Sequence, residues 1–193
     1  MDDVAALVEV LRRGGVVACP TETWLGLLAD ARNEGAIERV AELKRRPADL
    51  PIALLLPNAE AIAEVSAEPL SPASRSLMEQ HWPGPLTILV KAAPSLSPRL
   101  TQDGKVGIRV PGPSPAAELV RAFGHPLTAT SANRTGEPPM RSIDELPEAL
   151  REGVDALVAG LSPGGPPSTL VDATIEPMQV LRAGAIEIQV AGL

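Results

Sequence analysis

Residues 52 to 56 read IALLL, five apolar residues closed at each end by Pro51 and Pro57. The run is too short for a core helix and shows no polar alternation. It therefore suits a β-strand covered on both faces, which requires helices above and below the sheet that contains it. Few folds other than a layered α/β arrangement satisfy that demand.

The flanking sequence supplies both kinds of element. Val4, Leu7, Val8 and Leu11 fall at helical spacing after Asp2 and Asp3, and Gly14 and Gly15 provide a stop. A short strand, VVAC, follows. A polar loop then opens on PTET, after which residues 34 to 44 read as a helix with Ile37, Val40 and Ala41 inward and Lys44 in its last turn. Asn58 and Ser71 are N-cap candidates for two more helices, the second with Pro72 at its first position. PAAELVRAF and the SIDE capping box from Ser142 to Glu145 signal further helices. TILVKA, GIRVP, PLTAT, DALVAG, STLVDA and MQVLRA read as strands. The fold class expected is α/β: a single domain over residues 1–193 with a twisted mixed sheet flanked by helices.

Charge narrows the function classes. Lys and Arg number 17 against 24 Asp and Glu, a formal charge of −7, so no general basic surface exists to hold a nucleic acid by its phosphates. Trp24, Trp82 and Phe123 are the only aromatic residues besides histidine, which leaves little for base stacking. The single cysteine, Cys19, forms no internal disulfide and reads as a small core residue. With no charged start followed by a long apolar run, a cytoplasmic location without a membrane span is expected. His81 and His125 lack partners at metal-ligand spacing and read as structural, so no protein-held metal is expected.

Against that acidic background LKRRPADLP, residues 43 to 51, stands out. Lys44 and Arg46 sit at a helix end with prolines stiffening the exit, which holds two cations toward a common point as an anion pocket would require. A solvated helix C-terminus favouring cations through its dipole is the other reading of that segment alone. No G-x-x-x-x-G-K-[ST] loop and no G-x-G-x-x-G turn is present, so neither standard nucleotide fold is indicated. Ser131 in TSAN has no nucleophile elbow around it and reads as a hydrogen-bonding group in a turn-prone segment.

Five segments in order, PTETWLGLLADA (20 to 31), LKRRPADLP, HWPGPLTILV (81 to 90), VGIRVP (106 to 111) and ATSANRTGEP (129 to 138), together resemble the YrdC-like family. The likeness runs from about residue 5 to residue 183. It implies a threonylcarbamoyl-AMP synthase, which makes threonylcarbamoyl-AMP and pyrophosphate from L-threonine, bicarbonate or carbon dioxide, and ATP. That is the first step of threonylcarbamoyladenosine formation in tRNA. Other proteins would modify the tRNA, which is a possible ligand but not the direct substrate. The resemblance also implies a concave, positively lined cleft.

Residue by residue, the family's K-x-R pair falls on Lys44 and Arg46 and its S-x-N on Ser131 and Asn133, as the catalytic and ATP-binding set. Arg182 in VLRAG matches a further ATP-binding arginine. Arg109 in GIRVP matches the arginine that takes the threonine carboxylate, and Thr23 and Ser168 match positions lining the threonine and nucleotide pocket. Magnesium is expected with ATP, carried by substrate oxygens and water. Without the resemblance, Arg109 and Arg182 read as strand-surface charges and Thr23 and Ser168 as hydroxyls bonding nearby backbone.

The family pattern breaks at Leu25, where a tyrosine is usual, at Leu28, where a glycine is usual, at Leu50 in place of Lys or Asn, and at Pro139 in place of serine. Those departures, with the family's basic cleft, keep in view a non-catalytic nucleotide-, tRNA- or double-stranded-RNA-binding module of the same fold, and Arg109, which would take any α-amino acid carboxylate, keeps in view a paralogue using another carbamate acceptor. Trp24 reads either as rebuilding the pocket wall next to Leu25 or, more economically for an indole beside two leucines, as core packing.

Overall fold

The computed structural model describes residues 3–188. Among these, ten strands form one mixed sheet: β1 Val17–Pro20, β2 Leu25–Leu28, β3 Ala53–Leu55, β4 Leu86–Lys91, β5 Thr101–Gln102, β6 Lys105–Arg109, β7 Leu127–Ser131, β8 Ala156–Leu157, β9 Thr169–Asp172 and β10 Gln179–Arg182. Their order across the sheet is β10-β9-β4-β6-β3-β7-β2-β1-β8, with β5 paired to β6. The apolar run that opened the sequence lies at its centre, β3 running parallel to β6 and antiparallel to β7.

Both faces of β3 are covered, as its sequence demands. Leu54 and Leu56 enter one core with Ile88 and Ile108, packed against Ile37 and Val40 of α2 (Glu34–Leu43) and Leu77 and Met78 of α3 (Pro72–His81). Leu55 enters the other, where Val17, Cys19, Leu28 and Leu127 meet α1 (Val4–Arg12) and α4 (Pro115–Phe123). The helix ends follow local chemistry. Asp3 caps α1, Ser71 caps α3, and Ser114 caps α4 with Pro115 at its first turn and Gly124 in the left-handed conformation at its end.

Three local expectations are corrected. Asn58 accepts from the Ala61 amide at 3.0 Å but starts only a 3-10 turn, Glu60–Glu64, because the chain is drawn back to the sheet by a bridge between Ser66 and Ala92. The capping box from Ser142 to Glu145 does not form. Ser142 makes no capping bond, Glu145 takes the Arg141 amide instead at 2.9 Å, and Pro147 ends the turn before a helix can grow, so α5 (Glu148–Gly153) begins beyond it. The LGLL segment, read as part of a loop, is strand β2 between β1 and β7. Its glycine and brevity hid the pattern, and pairing on both sides decides it.

Candidate functional site

The face of the sheet that α1 and α4 cover at Leu55 opens, one alternation earlier in β3, into a cavity of about 600 Å³. Its floor is made of residues with almost no side chain: Gly26, Ala53, Gly107 and Ala129. Register brings them together, Ala53 opposite Ala129 and Gly107 opposite Leu89. Because successive strand residues alternate between faces, the strands that give Gly107 and Ala129 to the floor give Arg109 and Ser131 to the wall.

A Cβ on Gly107 would lie 3.4 Å from both Ala53 Cβ and Thr87 Cγ2, so larger groups there must fill the cavity. Gly107→Val is accordingly expected to keep the fold, with a near-native melting temperature, while weakening nucleotide binding about tenfold or more in a titration. Unchanged affinity would place the ligand elsewhere.

The exit from α2 explains how three consecutive cations take three directions. Arg45 adopts a left-handed backbone, φ 47°, and the amides of Arg45 and Arg46 return to the carbonyls of Glu42 and Ala41 at 2.9 and 2.8 Å. The reversal leaves Arg45 exposed, turns Lys44 inward, and sets Arg46 on the cavity wall. Arg46 is fixed there by Nε donating to Leu50 O at 2.9 Å and Nη2 to Pro51 O at 2.7 Å.

Lys44 is 1% exposed and does not line the cavity. Its amine donates to Ser131 O, to Asn133 O at 2.7 Å and to Asn133 Oδ1 at 3.4 Å. In this structure it braces the S-x-N segment from behind instead of facing the cavity. Burial first, and the Arg46 charge second, push its pKa down to about 7. Asn133, also buried, donates from Nδ2 to the carbonyls of Arg134 and Glu137 at 3.0 and 2.6 Å and accepts from Ser131 Oγ, so Ser131 is the member of the motif that lines the cavity.

On the far wall Arg182 donates from Nη2 to Ser168 O at 2.8 Å, and Ser168 Oγ lies 2.8 Å from Thr87 Oγ1. On the near side the PTET segment folds on Thr21, whose Oγ1 donates to Trp24 O at 2.7 Å, accepts the Thr23 amide at 3.1 Å and sits 3.1 Å from Thr23 Oγ1. Burial lowers the pKa of Arg46 and of Arg182. Arg109 is lowered by burial and by the Arg182 charge, against which the carboxylate of Glu22 acts. That carboxylate lies 3.0 Å from Arg109 Nη1.

Of the residues singled out in the sequence, Thr23, Arg46, Arg109, Ser131, Ser168 and Arg182 line one cavity, while Lys44 and Asn133 stand behind it. Glu22, Thr21 and Thr87 were missed. Glu22 had a signal, an acid inside a segment otherwise bound for the interior, with Arg109 as the cation of another buried strand. Thr87 is the polar residue of an apolar strand. Leu25 is buried in the core, Leu50 is 39% exposed and holds Arg46 through its carbonyl, and Leu28 and Pro139 line the cavity. Trp24 lines it too and is half-buried, so of its two readings the wall beside Leu25 holds and core packing does not; β2 begins one residue later.

An open-faced mixed sheet with an arginine- and hydroxyl-lined cavity sunk into one side places the chain in a distinct class of α/β proteins. The family described as telomere recombination, that of Sua5, YciO and YrdC proteins, matches residues 9–184, and the chain belongs to it. It is 34% identical over 174 residues to the threonylcarbamoyl-AMP synthase of Bacillus subtilis (strain 168), across 89% of this chain and 49% of that protein. To the threonylcarbamoyl-AMP synthase of Thiobacillus denitrificans it is 36% identical, across 90% of this chain and 91% of that one. The crystal structure of P. abyssi Sua5 complexed with L-threonine superposes with a TM-score of 0.86 at 31% identity, across 94% of this chain and 54% of that one. The chain thus spans about half the length of the Bacillus and Pyrococcus relatives and most of the Thiobacillus one.

Proposed function

We propose that the protein is a threonylcarbamoyl-AMP synthase, joining L-threonine, bicarbonate or carbon dioxide, and ATP into threonylcarbamoyl-AMP with release of pyrophosphate. The observation that carries this reading is the convergence of Arg46, Arg109, Arg182 and Ser131 on one cavity, in a chain whose relatives bear that name.

Attack of the threonine carbamate on the α-phosphorus needs no covalent nucleophile from the protein. It needs reactants held in line and the charge of the triphosphate and of the departing pyrophosphate neutralised. Arg46 and Arg182 serve as the phosphate-binding cations, rigidly placed by their carbonyl contacts, with Ser131 as a hydrogen-bond donor. Lys44 and Asn133 keep Ser131 in position. Arg109 receives the threonine carboxylate, and Thr23 and Ser168 line the amino-acid and nucleotide subsites. Among the described residues no carboxylate lines the cavity. Magnesium would come with ATP, held by phosphate oxygens and water, and would supply charge neutralisation there. The product would pass to tRNA-modifying proteins in the cytoplasm; no helix among the described residues is long and apolar enough to cross a membrane.

Pyrophosphate release by the purified protein with ATP and magnesium is expected to depend on both threonine and bicarbonate, and Arg46→Ala to lower it about 100-fold or more. Release that ignores either co-substrate, or that survives Arg46→Ala, contradicts the assignment.

A further inference from the structure

Glu22 has no task in the reaction outlined above, yet it occupies an unusual place. Its carboxylate is buried, both oxygens lie away from solvent without a hydrogen-bond donor, and Arg109 Nη1 is 3.0 Å from Oε1. The two side chains are 10% and 9% exposed. Gly112 packs against the acid so closely that a Cβ there would come within 3.2 Å of Glu22 Cγ. A buried carboxylate with one ionic partner and no hydrogen bonds is costly, so a stability role explains it poorly.

The charge arrangement has a consequence for binding. Arg109 alone would give this end of the cavity a full positive charge and make it a third phosphate site beside Arg46 and Arg182. With Glu22 behind it, the local sum is zero and what faces the cavity is the positive end of a dipole. A phosphate or a simple carboxylate gains little from such a subsite, because the attraction of Arg109 is offset by repulsion from Glu22. A ligand that is itself neutral and dipolar escapes that loss, because Glu22 offsets the repulsion between Arg109 and its ammonium as well as part of the attraction of its carboxylate. We propose that Glu22 is a specificity-determining residue that makes the Arg109 subsite select a zwitterionic α-amino acid over plain carboxylates and phosphate. This rests on the reading of Arg109 as the carboxylate site.

The test compares L-threonine with 3-hydroxybutyrate, the same carbon chain without the ammonium group, by calorimetric titration at fixed ionic strength. Wild-type protein is expected to prefer threonine, and Glu22→Gln to reduce that preference about tenfold by strengthening 3-hydroxybutyrate much more than threonine. Glu22→Asp keeps the charge and should keep the preference within about twofold. If Glu22→Gln weakens both ligands by one factor, the acid only orients Arg109 and the proposal fails. It fails equally, whatever the variants do, if the wild type binds 3-hydroxybutyrate as tightly as threonine. A wild type that binds neither overturns the synthase reading itself, and this inference with it.

Discussion

Arg109→Ala is expected to lower the unfolding free energy by about 3–5 kcal/mol, out of the roughly 5–15 typical of a domain, because it leaves the Glu22 carboxylate buried without its counter-charge. The same change removes the carboxylate site, so the threonine KM should rise about tenfold to a hundredfold in whatever protein remains folded. The two effects have separate causes and can be separated. Combining Arg109→Ala with Glu22→Gln removes the orphaned charge and should recover more than half of the lost stability while leaving threonine binding poor. Urea unfolding of the single and double variants measures the first effect, and the threonine dependence of pyrophosphate release the second. Equal midpoints for wild type and Arg109→Ala would mean that Glu22 is not held by Arg109 at all.

Lys44→Met should cost about 2–4 kcal/mol, since an unbranched apolar chain one atom shorter leaves the oxygens of Ser131 and Asn133 facing a buried group that donates nothing. Turnover is expected to fall about 100-fold as Ser131 loses its brace. A pH signature accompanies the stability change. The folded pKa is depressed to about 7 from 10.5, so between those values the unfolded chain binds more protons than the native one, and this residue's contribution to stability grows as pH rises across that window. Below about 7 the amine is charged in both states and the difference no longer changes. The methionine variant should lack that slope when urea midpoints are measured from pH 6.5 to 9.5. An identical slope in both proteins would mean that the amine titrates normally.

Much of this could be read before the structure because it depends on local chemistry. The run at residues 52 to 56 required two covered faces and obtained them, and Ser71 starts a helix where its side chain can accept an amide. Periodicity failed where pairing or a neighbouring proline overrode it: β2 is strand because β1 and β7 flank it, and Ser142 caps nothing because Pro147 arrives too soon. The site was legible as a set of residue types and not as an arrangement. Lys44 and Arg46 are two positions apart, yet one is a strut and the other a wall, and that division depends on the left-handed turn at Arg45, a conformation no propensity assigns to arginine. Glu22 escaped notice because its partner is 87 positions away in sequence and adjacent only once the sheet has formed.

The floor of Gly26, Ala53, Gly107 and Ala129 makes the cavity by omission: β3, β6 and β7 withhold a side chain at one level of the sheet, and β2 does so at Gly26, two residues further along β7 opposite Ser131. Capacity and chemistry are therefore written at alternate positions of the same strands. A chain of this kind can change what it admits by enlarging one floor residue, without disturbing the arginines and serines that act on whatever enters.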